Sequence, residues 1–124
     1  MIARFFLVCL GGALGSGARY ATSLWAAAAI GTAFPFGTLI VNVLGSFLLG
    51  FLMQAIPSSS DLRLMLTTGV MGGFTTYSTF NYETTEFLRE GAWPLAAANI
   101  LGTVAICLAA GFAGAAVARM IVGR

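Results

Sequence analysis

The chain has 124 residues, 59% of them hydrophobic and only 8% charged, with a mean hydropathy of +0.94 and a formal net charge of +2. A soluble domain carries about 25% charged residues, so a soluble fold is excluded and a membrane protein is expected. The basic residues are all Arg and form no run, which excludes a nucleic-acid partner, and the absence of His removes the commonest general base and a common metal ligand.

Charges and turn residues divide the chain into four spans. The first covers residues 5–28, with Arg19 inside it. Arg4, the apolar residues after it and the small residues near 26–29 also have the outline of a signal peptide. Arg19 within the apolar region, and later segments that are equally hydrophobic, argue against that. Gly11, Gly15 and Arg19 share one helix face, with Gly12 and Ser16 beside them. Residues 30–34 form a loop to Pro35, which opens the second span, residues 35–56. Ser46 and Gly50 repeat the four-residue spacing there. Pro57, three serines and Asp61 make a polar turn and an N-cap for the third span, residues 62–88. A turn at Arg89, Glu90 and Gly91 leads to the fourth span, residues 93–118, with a stripe of Asn99, Thr103, Cys107 and Gly111. Such stripes let helix backbones approach closely. Cys9 and Cys107 sit in apolar segments and read as small apolar fillers.

Four spans return both termini to one side, together with Arg4, Arg63, Arg119 and Arg124; Arg89 and Arg19 belong to the other. The positive-inside rule then places the termini in the cytoplasm. The bias is small and leaves insertion in both orientations open. Residues 1–124 thus read as a single four-helix transmembrane domain in a lipid bilayer, with loops too short for a soluble protein partner. A bundle this small has little room for both a packed core and a permeation path, so a homo-oligomer is expected.

The third span holds the functional expectation. Residues 64–82 form a 19-residue run without charge, long enough to cross a bilayer. Gly69, Gly72 and Gly73 loosen its backbone, and Thr75, Thr76, Ser78 and Thr79 compete for its hydrogen bonds. A break is expected, and broken backbone at membrane depth survives only when packed in protein or lining a wet cavity. This predicts an ion site near the midplane. Asn42 can donate two hydrogen bonds to an anion or make one helix–helix bond. Phe74, Tyr77 and Phe80 recur at three-residue spacing and either present positive ring edges or simply pack. Ser78 and Thr79 add hydroxyl donors. Freed carbonyls of residues 72–75 could hold a cation. Arg19 either draws anions into a vestibule or snorkels to the interface.

Many weak neutral donors suit a small, strongly hydrated anion. Moving even a carboxylate-sized ion into a low dielectric costs on the order of 20 kcal/mol by the Born estimate, and a single strong site would trap it. No enzyme constellation appears. Glu83 and Glu86 read as interfacial carboxylates or Arg partners, and the glycines at 11, 12 and 15 follow no strand, so they form no dinucleotide fingerprint.

Three motifs in order, GGALGSGARY, FPFGTLIVNVLGSFLLG and GVMGGFTTYSTFNYET, resemble the Fluc, or CrcB, family of fluoride channels. The resemblance implies a passive channel that exports toxic fluoride across the bacterial plasma (inner) membrane. It also implies an antiparallel, dual-topology homodimer with two pores at the subunit interface. A structural Na⁺ on the two-fold axis would be held by the backbone carbonyls of Gly72 and Thr75. The pore would be lined by Asn42, Tyr77 and Phe80, with Ser78 and Thr79 as a hydroxyl track and Arg19 as the family's first-helix arginine. Tyr77 stands where the family has the first of two phenylalanines, and Asn99 stands where its fourth span often carries Tyr. The alternative is a small proton-coupled multidrug exporter, which needs a titratable carboxylate deep in a helix; the first span has none. A non-transporting membrane subunit would leave the break without a purpose.

Overall fold

The computed structural model describes residues 1–123; Arg124, counted above with the arginines near the termini, lies outside the described residues. The chain is an antiparallel bundle of four spans. Helix α1 runs over Ile2–Ala29 and α2 over Phe36–Ala55. The third span is assembled from α3 (Asp61–Leu64), a π-helical segment (Met65–Met71), α4 (Gly72–Phe74) and α5 (Tyr77–Arg89). The fourth is α6, Trp93–Val122. Helices α1, α2 and α6 are each long and apolar enough to cross a membrane.

The ends of these helices follow from local chemistry. Ala26 O accepts hydrogen bonds from both Ile30 N and Gly31 N, at 2.8 and 3.2 Å, and Gly31 turns the chain away with φ +108°. Ile56 is extended, as the residue before Pro57 must be, so α2 stops there. Asp61 opens α3 and accepts from Arg4 Nε at 2.8 Å, a largely exposed pair of small energetic weight.

The packing is that of a membrane bundle. Large apolar side chains point outward; Phe112 is 76% exposed and Leu101 70%. The small apolar core is Val41, Met71 and Phe74, with Leu52 and Val70 against it. Helix α2 lies along α6, and α1 lies along the π segment. Both contacts are backbone against backbone. A Cβ at Gly11 would meet Met65 O, and one at Gly15 would meet Val70 O; a Cβ at Gly50 would meet Gly111 O. The four-residue stripes therefore serve close packing within the bundle.

Between α5 and α6 the buried polar groups form a chain of hydrogen bonds. Asn99, 2% exposed, donates to Thr84 Oγ1 at 2.9 Å and accepts from Thr103 Oγ1 at 3.4 Å. Thr84 Oγ1 in turn donates to Phe80 O at 2.8 Å. In hydrocarbon an unmet amide is costly, so this chain of bonds fixes α5 against α6.

Candidate functional site

The third span does break, at Thr75 and Thr76. Their backbones are extended, with φ/ψ of −85°/159° and −151°/119°. The last bond of α4 runs from Thr75 N to Met71 O at 3.1 Å, and Thr75 Oγ1 donates to the same carbonyl at 2.9 Å. Thr76 then caps α5: Thr79 N donates to Thr76 Oγ1 at 3.2 Å. Threonine competition thus acts at the break, whereas Gly69, Gly72 and Gly73 stay helical, and Gly69 and Gly73 instead admit the backbone of α1.

Asn42 clamps the break from α2. Its Nδ2 donates to Thr76 O at 3.0 Å, and its Oδ1 accepts from Thr76 N at 2.8 Å. The pair imitates one rung of a β-ladder, which is what an extended residue needs when no strand is present. An amide has two N–H donors, so one remains for another acceptor. Arg19 approaches from α1, and its Nε donates to Gly73 O at 3.0 Å. Its guanidinium is therefore tied to the last turn before the break.

The backbone carbonyls can be accounted for one by one. Thr76 N–H turns to Asn42, so Gly72 O loses its helical donor. Thr79 N–H turns to Thr76 Oγ1, so Thr75 O loses its donor as well. Gly73 O is met by Arg19. Among the described residues, Gly72, Phe74 and Thr75 are left with carbonyls that no donor meets, and of these three residues only Gly72 is exposed.

Beside the break lies a groove of about 440 Å³ between α2, the break and α6. Asn42, Ser46, Thr76, Tyr77, Phe80 and Thr103 line it. The rings of Tyr77 and Phe80 are 5.9 Å apart and tilted by 56°. Tyr77 is 77% exposed on the outer side of the bundle. The walls carry no charge: Leu49, Val104, Cys107 and Leu108 give apolar surface, and hydroxyls, one amide and two aromatic rings stand among them.

Ser78 and Thr79 are not in this groove. Thr79 lines a second cavity, of about 510 Å³, with Thr38, Glu83 and Phe34. Ser78 is exposed, its hydroxyl 3.4 Å from that of Thr76. Glu86 pairs with Arg89 at 3.1 Å, but Glu83 turns inward and accepts from Thr38 Oγ1 at 3.0 Å. Ser46 and Thr103 could have been found as polar steps in the helix stripes. The Thr38–Glu83 pair had no such signal, because 45 residues separate its members.

Together these observations define a class: a small multi-pass membrane protein whose broken helix flanks an uncharged groove with a few hydrogen-bonding groups in its walls. The model of the family described as "CrcB-like protein, Camphor Resistance (CrcB)" matches residues 6–115. A fluoride-specific ion channel FluC of Anaeromyxobacter dehalogenans is 58% identical over 126 residues, covering 98% of this chain and 100% of that one. One from Sorangium cellulosum is 49% identical over 123 residues, covering 96% and 97%. One from Geobacter sulfurreducens is 47% identical over 114 residues, covering 89% and 92%. The chain belongs to the CrcB-like family.

Proposed function

We propose that this protein is a passive fluoride-selective channel, not an enzyme, and that it exports fluoride across the bacterial inner membrane. The observation that carries the proposal is the break at Thr75 and Thr76, clamped by Asn42 and open to a groove of neutral donors. The near full-length likeness to proteins named as fluoride-specific channels supports the choice of ion.

The working unit is an antiparallel homodimer with two pores. The support is local: Gly72 and Thr75 of one chain offer too few carbonyls to replace a cation's water shell, and a second copy related by a two-fold axis would double them. A Na⁺ bound there would supply positive charge and pin the two breaks together. The ion path runs past Asn42, Tyr77 and Phe80. Ser78 and Thr79 belong to its approach on the side of the Thr38 cavity, and Arg19 acts by holding Gly73 O.

Reconstituted protein in liposomes should release fluoride down its gradient far faster than chloride, with no proton gradient, as read by a fluoride electrode. Equal rates for the two anions would remove the selectivity claim. In the same assay Phe80→Ile should slow fluoride release about fivefold without changing the elution volume of the purified protein. Ile keeps most of the apolar bulk but loses the ring edge, whose electrostatic value is ~1 kcal/mol. Unchanged release would assign the ring to packing alone.

A further inference from the structure

Leu49 lines the groove beside the break. That residue also lines a third cavity, of about 500 Å³, with Met53, Arg4, Arg63 and Thr68. Asn42, Ser46, Leu49 and Met53 follow one another at three- and four-residue steps, so one face of α2 walls both cavities. From residue 42 to residue 53 that face rises about 16 Å. At its far end stand two guanidinium groups and a single carboxylate. Arg63 is half-buried, with Nη1 donating to Ile56 O at 3.2 Å and Nη2 lying 3.3 Å from Met53 Sδ. Arg4 is exposed; its Nε bonds Asp61 at 2.8 Å and its Nη2 reaches Ser59 O at 3.5 Å. The lining of the groove beside the break carries no charge, and that of the cavity beyond Leu49 carries Arg4 and Arg63.

We propose that Arg63, with Arg4, forms an electrostatic mouth that concentrates small anions at the α3 end of the groove, and that Asp61 opposes it. This rests on the channel reading above and adds a steering site to it. The half-buried Arg63 is pinned by two contacts, so its charge is held at the third cavity rather than wandering in solvent. Apolar walls of Leu49, Met53 and Leu64 lower the dielectric around it and focus its field. No arginine stands among the residues lining the groove beside the break, so the concentrating charge and the selecting groups are separate. That separation lets the mouth attract an anion without trapping it.

The test is fluoride efflux from phosphatidylcholine liposomes at sub-saturating fluoride, with an inert salt varied from low to high ionic strength. Screening shortens to a length of about 10 Å at 0.1 M salt, so a steering charge has a signature that a structural brace lacks. Arg63→Gln should lower efflux roughly tenfold at low salt, the low end for electrostatic focusing, and match wild type at high salt. Arg63→Lys should behave as wild type throughout. Asp61→Asn should raise efflux at low salt, a gain that damage to the fold does not produce. Equal loss by Arg63→Gln at every salt concentration would make Arg63 a brace for Ile56 O and overturn the proposal. So would a fall in Asp61→Asn, or a salt effect that appears only in vesicles of anionic lipid, which would mark the arginines as headgroup contacts. Wild type that conducts no fluoride at any salt concentration would sink the channel reading itself, and this mouth with it.

Discussion

Asn42→Asp should reduce fluoride efflux by about three orders of magnitude while the protein still elutes as the folded species. The side chains have nearly the same shape, and the carboxylate can still accept from Thr76 N, as Asn42 Oδ1 does at 2.8 Å. Two things change. The donor to Thr76 O is lost, so a carboxylate oxygen now faces a carbonyl oxygen where a 3.0 Å hydrogen bond stood. A fixed negative charge also enters the wall of the groove. At ~4 Å and an effective dielectric of 20, two like charges repel by about 4 kcal/mol, and each 1.36 kcal/mol is about tenfold in rate. Asn42→Ala removes both hydrogen bonds but adds no charge. At ~1 kcal/mol for each bond, it should slow efflux by about tenfold to thirtyfold through a looser break. If Asp and Ala are equally mild in the liposome assay, Asn42 only holds the backbone and lies off the ion path.

Those two variants separate what was legible in the sequence from what was not. The four spans were legible because hydropathy, Pro and Gly mark them: residues 35–56 were expected for the second, and α2 is Phe36–Ala55. The break was legible because its cause is local, the threonines at 75 and 76 in an uncharged run, although the glycines expected to loosen it stay helical. The π-helical segment Met65–Met71 was not. It lies where Gly11 and Gly15 bring α1 against its carbonyls, and that approach joins residues more than fifty positions apart. Asn42 stood out as a polar group at membrane depth, but its partner Thr76 is 34 residues away and is a backbone group, which no side-chain pattern records. Arg19 stood out likewise, and its bond to Gly73 O had no signal either. Ser78 and Thr79 were grouped with Phe80 by adjacency along the chain. Thr76 starts a new helix with its own phase, and that phase turns Thr79 toward Thr38 and Phe80 toward the groove.

Gly15→Ala should abolish recovery of folded protein, whereas Gly17→Ala, the same change two positions on, should be neutral or stabilising. On intrinsic propensity alone both should help, since Ala is better than Gly within a helix by about 1 kcal/mol. The surroundings decide otherwise. A Cβ on Gly15 would be driven into Val70 O and would lie 2.9 Å from Phe74 N, with backbone on both sides and no side chain able to rotate away. Relief requires α1 to move off the π segment, and with it Arg19 would leave Gly73 O and the break would lose one of its two anchors. Overpacking in a core commonly costs 1–3 kcal/mol, and a clash with rigid backbone falls at or above the upper end. A Cβ on Gly17 meets nothing within 4 Å. Folded yield in detergent and the midpoint of thermal unfolding report both effects. Equal behaviour of the two variants would mean that α1 and the third span do not touch along Gly11 and Gly15, and the positioning of the break by α1 would fall with that contact.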